Sequence, residues 1–153
     1  GELDVLVLDM PPGTGDAQLT ITQRVPLKGA VIVSTPQDIA LIDARKGIAM
    51  FQKVQVPILG VVENMSQFIC PDCGSRHDIF GHGGAQDTAR TLGVPFLGEI
   101  PLVPRIRETS DAGTPVSAAL PDGPEAEAFL AVARQVKAAL QTVSKPAPRI
   151  VIG

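Results

Sequence analysis

Short apolar runs alternate with helical patterns along most of the chain. Four of these runs are rich in branched aliphatic residues and cover residues 5–8, 31–33, 58–62 and 96–100, and the run of residues 5–8 is continuous. Continuous runs are typical of strands that are buried on both faces of a parallel sheet, and parallel strands need a crossover segment between them. The pattern therefore predicts an α/β fold in three layers, with helices on both faces of a mostly parallel sheet.

Three helices are predicted from apolar positions that recur at helical spacing. The first helix follows residues 31–33, with Thr35 as its N-cap and Pro36 as its first residue. Its apolar stripe is Leu41, Ala44, Ile48 and Phe51. The second helix covers residues 84–92 with Ala85, Ala89 and Leu92 on one face, and the third covers about 125–140 with the stripe Phe129, Val132, Ala133, Val136 and Leu140. Between the first two helices, residues 64–84 are predicted as a long irregular loop, a kind of segment that is usually functional or disordered.

Composition and charge exclude several classes of partner. Hydrophobic residues make up 44% of the 153 residues and charged residues 19%, which is a folding composition. The net charge is −3 and aromatic residues make up 3%, so neither a basic surface nor stacking side chains favour a nucleic acid. There is no apolar run long enough for a bilayer and no signal peptide, so the expected location is the cytoplasm, away from membranes.

The segment of residues 10–16, Met-Pro-Pro-Gly-Thr-Gly-Asp, has the glycines of a Walker A loop but lacks its Lys-Ser/Thr pair. A second interpretation starts from Asp9, which follows the predicted strand of residues 5–8. A carboxylate at the carboxyl end of a parallel strand can hold Mg²⁺ through water, as a Walker B aspartate does. The glycine-rich turn around Gly13 can then offer N–H groups to a γ-phosphate. The alternative is a plain strand-to-helix turn with a capping aspartate.

The chain has two cysteines, Cys70 and Cys73, and they are too close in sequence to be a useful structural disulfide. Without a secretion signal, the pair indicates a metal-binding or redox-active site. Two thiolates rarely complete a metal site. A second copy of the chain can supply two more for a [4Fe–4S] cluster, or His77 and His82 can complete a Cys₂His₂ set for Zn²⁺. Inert or redox-active thiols are a third option, and each histidine taken alone is interpreted as a polar loop residue.

Short motifs follow one another in a fixed order between about residues 3 and 116. They lie at residues 8–16, 34–38, 43–47, 60–66, 70–73, 80–84 and 98–102. Together they resemble the Mrp/ApbC ATPases, P-loop proteins related to MinD. The resemblance implies that residues 1–143 are the C-terminal part of one P-loop ATPase domain and that residues 144–153 are a flexible tail. The Walker A half is then expected before Gly1, together with the strand that would cover the apolar edge of residues 5–8.

The resemblance also implies roles for individual residues. Asp9 would lie in the water shell of the magnesium ion, and Gly13 with its neighbour Pro12 would belong to switch II. Asn64, at the end of its strand, would form a hydrogen bond with the adenine. Pro101, within the stretch Ile-Pro-Leu, would lie along the base.

At the level of function, the resemblance implies an ATP-dependent iron–sulfur cluster carrier. A [4Fe–4S] cluster would be shared by Cys70 and Cys73 of two subunits and delivered to apo client proteins, with ATP and Mg²⁺ as cofactors. The intact protein would hydrolyse ATP, whereas this chain by itself is expected to be inactive because it lacks the Walker A loop. Two alternatives remain open. One is a zinc-binding interaction module, and the other is a MinD-like positioning ATPase, for which Arg134 and Lys137 on the last helix are a weak membrane anchor.

Overall fold

The computed structural model describes residues 2–11 and 15–143. In chain order the elements are α1 (Asp16–Arg24), β1 (Ala30–Ser34), α2 (Asp38–Lys53), β2 (Ile58–Ile69), β3 (Arg76–His77), α3 (Gly84–Leu92), β4 (Phe96–Leu102), α4 (Pro104–Asp111), α5 (Val116–Ala119) and α6 (Pro124–Thr142). The predicted tail of residues 144–153 lies outside the described residues.

The long strand β2 is the centre of the sheet. It pairs in parallel with β1 on one side and with β4 on the other. Its last residues extend beyond β1 and form a short antiparallel ribbon with β3, in which Phe68 lies opposite His77. The sheet is therefore mostly parallel, as predicted, with one antiparallel extension at the carboxyl end of its central strand.

Helices cover both faces of this sheet. On one face, α2 and α3 pack over Ile32 and Val61, and the buried residues of α2 are the predicted stripe of Leu41, Ala44, Ile48 and Phe51. On the other face, Leu97 and Ile100 of β4 pack against Val132 and Val136 of α6. This arrangement confirms the three-layer α/β class, because each sheet face buries its apolar side chains under helices. None of the helices in the described ranges combines the length and the apolar character needed to cross a membrane.

The prediction of a buried strand at residues 5–8 was wrong. These residues form no strand, and Val7 is 85% exposed. A strand remains in a sheet only if its backbone N–H and C=O groups find partners on a neighbour, and none of the described strands pairs with this run. Apolar periodicity indicates that a segment prefers burial, but it does not place a partner strand beside it.

Several element boundaries also differ from the predictions. The N-cap of α2 is Gln37 and not Thr35, whose hydroxyl instead donates to the Gln37 side chain. On α6 the buried residue is Ala126, whereas Phe129 of the predicted stripe is 38% exposed. The largest difference is in β2, which continues to Ile69 through a segment that was predicted as loop.

Candidate functional site

The carboxyl half of β2 connects the predicted adenine-binding residue with the two cysteines. Asn64 lies opposite Ile100 of β4, and the register then shifts before Phe68 pairs with Leu102. Between them, Met65 has a φ of 56°, a left-handed conformation that is uncommon outside glycine. The shift and the left-handed residue together form a bulge, which bends a strand and redirects the side chains that follow. The sequence analysis predicted Asn64 at the end of its strand. In the structure Asn64 lies within β2, at the irregularity that precedes Met65.

Asn64 and Pro101 come close together in the structure, because Pro101 directly follows the residue opposite Asn64. The Asn64 side chain is half-buried, and its Oδ1 accepts a hydrogen bond from the Met65 N–H at 3.0 Å. Beyond this pair lies an open cavity of about 380 Å³, a volume within the range of small-molecule sites. The cavity is lined by Phe68, Ile79, Leu102, Val103, Pro104 and Arg107. The stretch predicted to lie along a base thus borders a mostly apolar cavity.

Of the residues predicted for the phosphate side, the structure describes Asp9, which is not among the residues that line this cavity. Asp9 belongs to the exposed segment before α1 and is itself exposed. Pro12 and Gly13 lie outside the described residues. The roles predicted for Asp9, Pro12 and Gly13 therefore stay predictions.

The two cysteines lie at the tip of the antiparallel ribbon formed by β2 and β3. The Cys70 N–H donates to the Ser75 carbonyl at 2.9 Å, and the Gly74 N–H donates to the Cys70 carbonyl at 2.9 Å. Gly74 has a φ of 70°, which glycine adopts without the steric cost of a side chain. Cys73 is exposed and Cys70 is half-buried. The tip is therefore a hydrogen-bonded turn at the protein surface, in which Cys73 is more exposed than Cys70, and not the irregular loop that was predicted.

The Cys73 thiol has a hydrogen-bond partner within this turn. Its Sγ lies 3.2 Å from the Ser75 Oγ. Hydrogen bonds lower the pKa of the Cys73 thiol below its usual value. The Ser75 side chain contributes most, followed by the Ser75 backbone and the Cys70 side chain. A lower pKa favours the thiolate, which is the form that binds metals.

The two histidines considered as zinc ligands take part in other contacts. The ring of His77 lies 6.3 Å from the ring of Phe68, centre to centre. His82 Nε2 lies 3.1 Å from Glu99 Oε2, so His82 connects its turn to β4 and is not simply a polar loop residue. Within the described part of the chain, one group of three possible ligands lies close enough for a single ion. It consists of Glu63, His82 and Glu99 and contains no cysteine. The geometry thus gives no support to a Cys₂His₂ set within one chain.

Glu63 is a residue of this region to which the sequence analysis assigned no role. Its side chain is 0% exposed in the middle of β2. Oε1 accepts the Gly83 N–H and Oε2 accepts the Ala85 N–H, each at 2.8 Å. Both donors belong to the start of α3, where backbone N–H groups lack helical partners and the helix dipole favours negative charge. The signal that could have identified Glu63 is a carboxylate within an apolar strand, because a buried charge requires partners.

The glycine-rich motif at residues 80–84 makes this contact possible. Gly83 has a φ of 79° and is the N-cap of α3. A Cβ placed on Gly84 would lie 2.8 Å from the Pro36 carbonyl oxygen, so a larger residue would push α3 away from the loop after β1. The motif therefore brings the start of α3 close to both β1 and Glu63.

The chain is similar in sequence to several known proteins. A family model described as "ParA: NUBPL iron-transfer P-loop NTPase" matches residues 1–137. The "Iron-sulfur cluster transfer protein NUBPL" of Dictyostelium discoideum is 54% identical over 144 residues, which are 94% of this chain and 45% of that protein.

Two solved structures are also similar. A nucleotide-binding protein from Archaeoglobus fulgidus, in complex with ADP, superposes with a TM-score of 0.66 at 47% identity and covers 74% of this chain and 46% of its own. The cell division ATPase MinD of Pyrococcus furiosus superposes with a TM-score of 0.65 at 27% identity and covers 85% of this chain and 50% of its own. The chain thus spans half or less of the length of each of these relatives.

Proposed function

Because the chain belongs to the ParA family of NUBPL iron-transfer P-loop NTPases, we propose that the intact protein is an ATP-dependent carrier of iron–sulfur clusters. Cys70 and Cys73 hold the cluster, which is cargo that the protein passes to apo client proteins. The observation that supports this most directly is the ribbon tip, where a hydrogen-bonded turn holds an exposed Cys73 close to a half-buried Cys70 at the protein surface. A cysteine pair at the surface suits a carrier, since a buried cluster could not reach an acceptor.

The cluster lies between two subunits in this proposal. One chain offers two thiolates and a [4Fe–4S] cluster needs four, so a twofold dimer completes the ligand set. Apolar side chains flank the tip, with Ile69 42% and Ile79 56% exposed. Exposed apolar residues beside the cysteines give a second subunit a surface to pack against.

In this proposal the nucleotide binds beside Asn64 on β2, away from the cysteines at the tip of the ribbon. The Asn64 side chain binds the adenine, and the base lies along Pro101 at the border of the cavity lined by Phe68 and Leu102. Asp9 holds a water of the magnesium shell, and Pro12 with Gly13 forms switch II. The phosphate-binding lysine of a P-loop protein is not part of this sequence, which has no Gly-Lys-Ser/Thr string. The chain by itself is therefore expected to hydrolyse no ATP.

The proposal is tested by anaerobic reconstitution of the intact protein with iron and sulfide. We expect a brown protein with equal amounts of iron and sulfide, and a cluster that moves to an apo ferredoxin when the two are mixed. Transfer is followed by the acceptor's own absorbance after separation. A protein that takes up one zinc ion per chain and no iron contradicts the carrier and favours the zinc-binding interaction module.

The nucleotide part of the proposal has a separate test in Asp9→Ala. We expect ATP turnover of the intact protein to fall by about 100-fold, the usual size of the loss when one electrostatic group is removed from a transition-state site. Cluster content should stay at the wild-type level, because Asp9 is not part of the ribbon. The matched control is Asp4→Ala, which removes another exposed carboxylate from the same segment. Equal turnover in the two variants would contradict the role of Asp9.

A further inference from the structure

Ser75 contacts both proposed cluster ligands at the tip of the ribbon. Its Oγ lies 3.2 Å from Cys73 Sγ, and its carbonyl accepts the Cys70 N–H at 2.9 Å. The position of Ser75 is fixed by the next residue, Arg76, which pairs with Ile69 across the ribbon. The Ser75 hydroxyl is therefore held beside one of the two sulfurs by the backbone of the hairpin.

We propose that Ser75 is a positioning residue for the cluster, whose hydroxyl donates a hydrogen bond to the iron-bound sulfur of Cys73 and thereby sets the reduction potential and the release of the cluster. The inference rests on the proposed function, because it requires Cys73 to bind iron. In the free thiol, the Cys73 S–H donates to Ser75 Oγ. An iron-bound sulfur has no proton and can only accept. A serine hydroxyl can serve as donor or acceptor, so the same pair of atoms can exchange roles by rotation of one O–H bond.

The effect on the cluster follows from charge. A hydrogen bond to a cluster sulfur stabilises the more negative, reduced state, and so it raises the reduction potential. It also draws electron density from the iron–sulfur bond, which makes the thiolate a weaker ligand and a better leaving group. Both effects suit a carrier, because cargo that is to be handed on should be bound less tightly than in its final acceptor. A twofold dimer would contain two such hydroxyl groups, one from each subunit.

The cationic side chain of the ribbon, Arg76, is a weaker candidate than Ser75 for influencing the reduction potential and the release of the cluster. Arg76 Nε lies 2.8 Å from Asp78 Oδ1, so its charge is compensated by a neighbour on the same segment. The backbone hydrogen bonds of the tip involve the N–H groups of Cys70 and Gly74. They do not depend on the Ser75 side chain. Substitution of Ser75 therefore changes the hydroxyl and leaves the turn in place.

The experiment compares the intact wild-type protein with Ser75→Ala and Ser75→Thr after anaerobic reconstitution. Ser110→Ala is the control, because it removes an exposed serine hydroxyl that bonds to the Ile106 carbonyl on α4. We measure the midpoint potential by spectroscopic redox titration and the rate of transfer to an apo ferredoxin. Ser75→Ala should lower the midpoint potential and slow transfer by about tenfold, a common effect of losing one hydrogen bond to a metal ligand. Ser75→Thr and Ser110→Ala should behave as wild type.

Each other outcome has a defined meaning. Equal potentials and rates in Ser75→Ala and wild type, with full cluster content in both, overturn the inference and leave the carrier function standing. Equal losses in Ser75→Ala and Ser75→Thr also overturn it, because the hydroxyl would then be irrelevant. A Ser75→Ala protein that holds no cluster, beside a Ser75→Thr protein that holds it fully, overturns the inference, because the hydroxyl would then strengthen cluster binding and not ease release. A wild-type protein without iron and sulfide overturns the proposed function, and the inference falls with it.

Discussion

Replacing Glu63 with alanine is expected to lower the free energy of unfolding of the intact protein by about 3 kcal/mol or more, because two backbone N–H groups lose a charged acceptor at once. The Gly83 and Ala85 N–H groups both donate to this one carboxylate. The site is buried in the middle of β2, so water cannot replace the lost bonds without entering the core. The change is measured as the shift of the urea midpoint at constant slope.

Glu63→Gln separates the charge from the shape of the side chain. A glutamine amide has one oxygen that can accept, but its NH₂ group would face the second N–H donor. We expect a loss smaller than that of alanine and larger than that of a surface substitution, about 1–3 kcal/mol. Hydrogen exchange gives a direct reading, since the Gly83 and Ala85 amides should exchange faster in both variants.

The control for Glu63 is Glu99→Gln. Glu99 pairs with His82 at 3.1 Å in a partly exposed position on β4, and such pairs contribute about 1 kcal/mol or less. Equal stability losses at Glu63 and Glu99, or unchanged exchange at Gly83 and Ala85 in Glu63→Ala, would show that the buried carboxylate does not hold the start of α3.

Replacing either Cys70 or Cys73 with alanine is expected to abolish both the cluster and the metal-dependent dimer. A dimer of either variant retains two thiolates in total, which is half the set that a [4Fe–4S] cluster needs. Since the cluster binds only to the dimer, its binding energy stabilises the dimer by mass action, and loss of the cluster removes that stabilisation. The measurements are iron, sulfide and zinc content, the absorbance spectrum, and the mass in solution with and without metal.

The matched control for the cysteines is the double variant with His77→Ala and His82→Ala. It should retain the chromophore and the dimer, because His77 lies against Phe68 and His82 pairs with Glu99. The opposite result, a monomer that holds one zinc ion and loses it in the double histidine variant, would mean that the bridging proposal is wrong and that the chain forms its own Cys₂His₂ site.

The sequence predicted those parts of the fold that depend on local periodicity. The stripe of α2 and the limits of α3 are as predicted, because amphipathic spacing and flanking glycines are local signals. The extension of β2 was missed because Glu63, Asn64 and Ser66 interrupt the apolar run. Their place in a strand depends on pairing with β4, which begins far along the chain.

The same limit applies to the candidate site. The order of the motifs predicted Asn64 and Pro101 as adenine-binding residues and Cys70 and Cys73 as metal ligands. The structure gives the positions of these four residues on β2, on β4 and at the tip of the ribbon. The partners of Glu63 could not be predicted from its neighbours, since its two donors are 20 and 22 residues away in sequence. Such contacts depend on how α3 packs against β2.

The bulge after Asn64 makes the number of residues in β2 as important as their identity. Side chains alternate between the two faces of a strand, so one residue more or less moves every later side chain to the other face. Between Asn64 and Phe68 such a change would turn the cysteine ribbon over relative to the sheet, although every residue of the ribbon would be retained. We therefore expect an insertion or a deletion in this short segment to be tolerated far less well than a substitution.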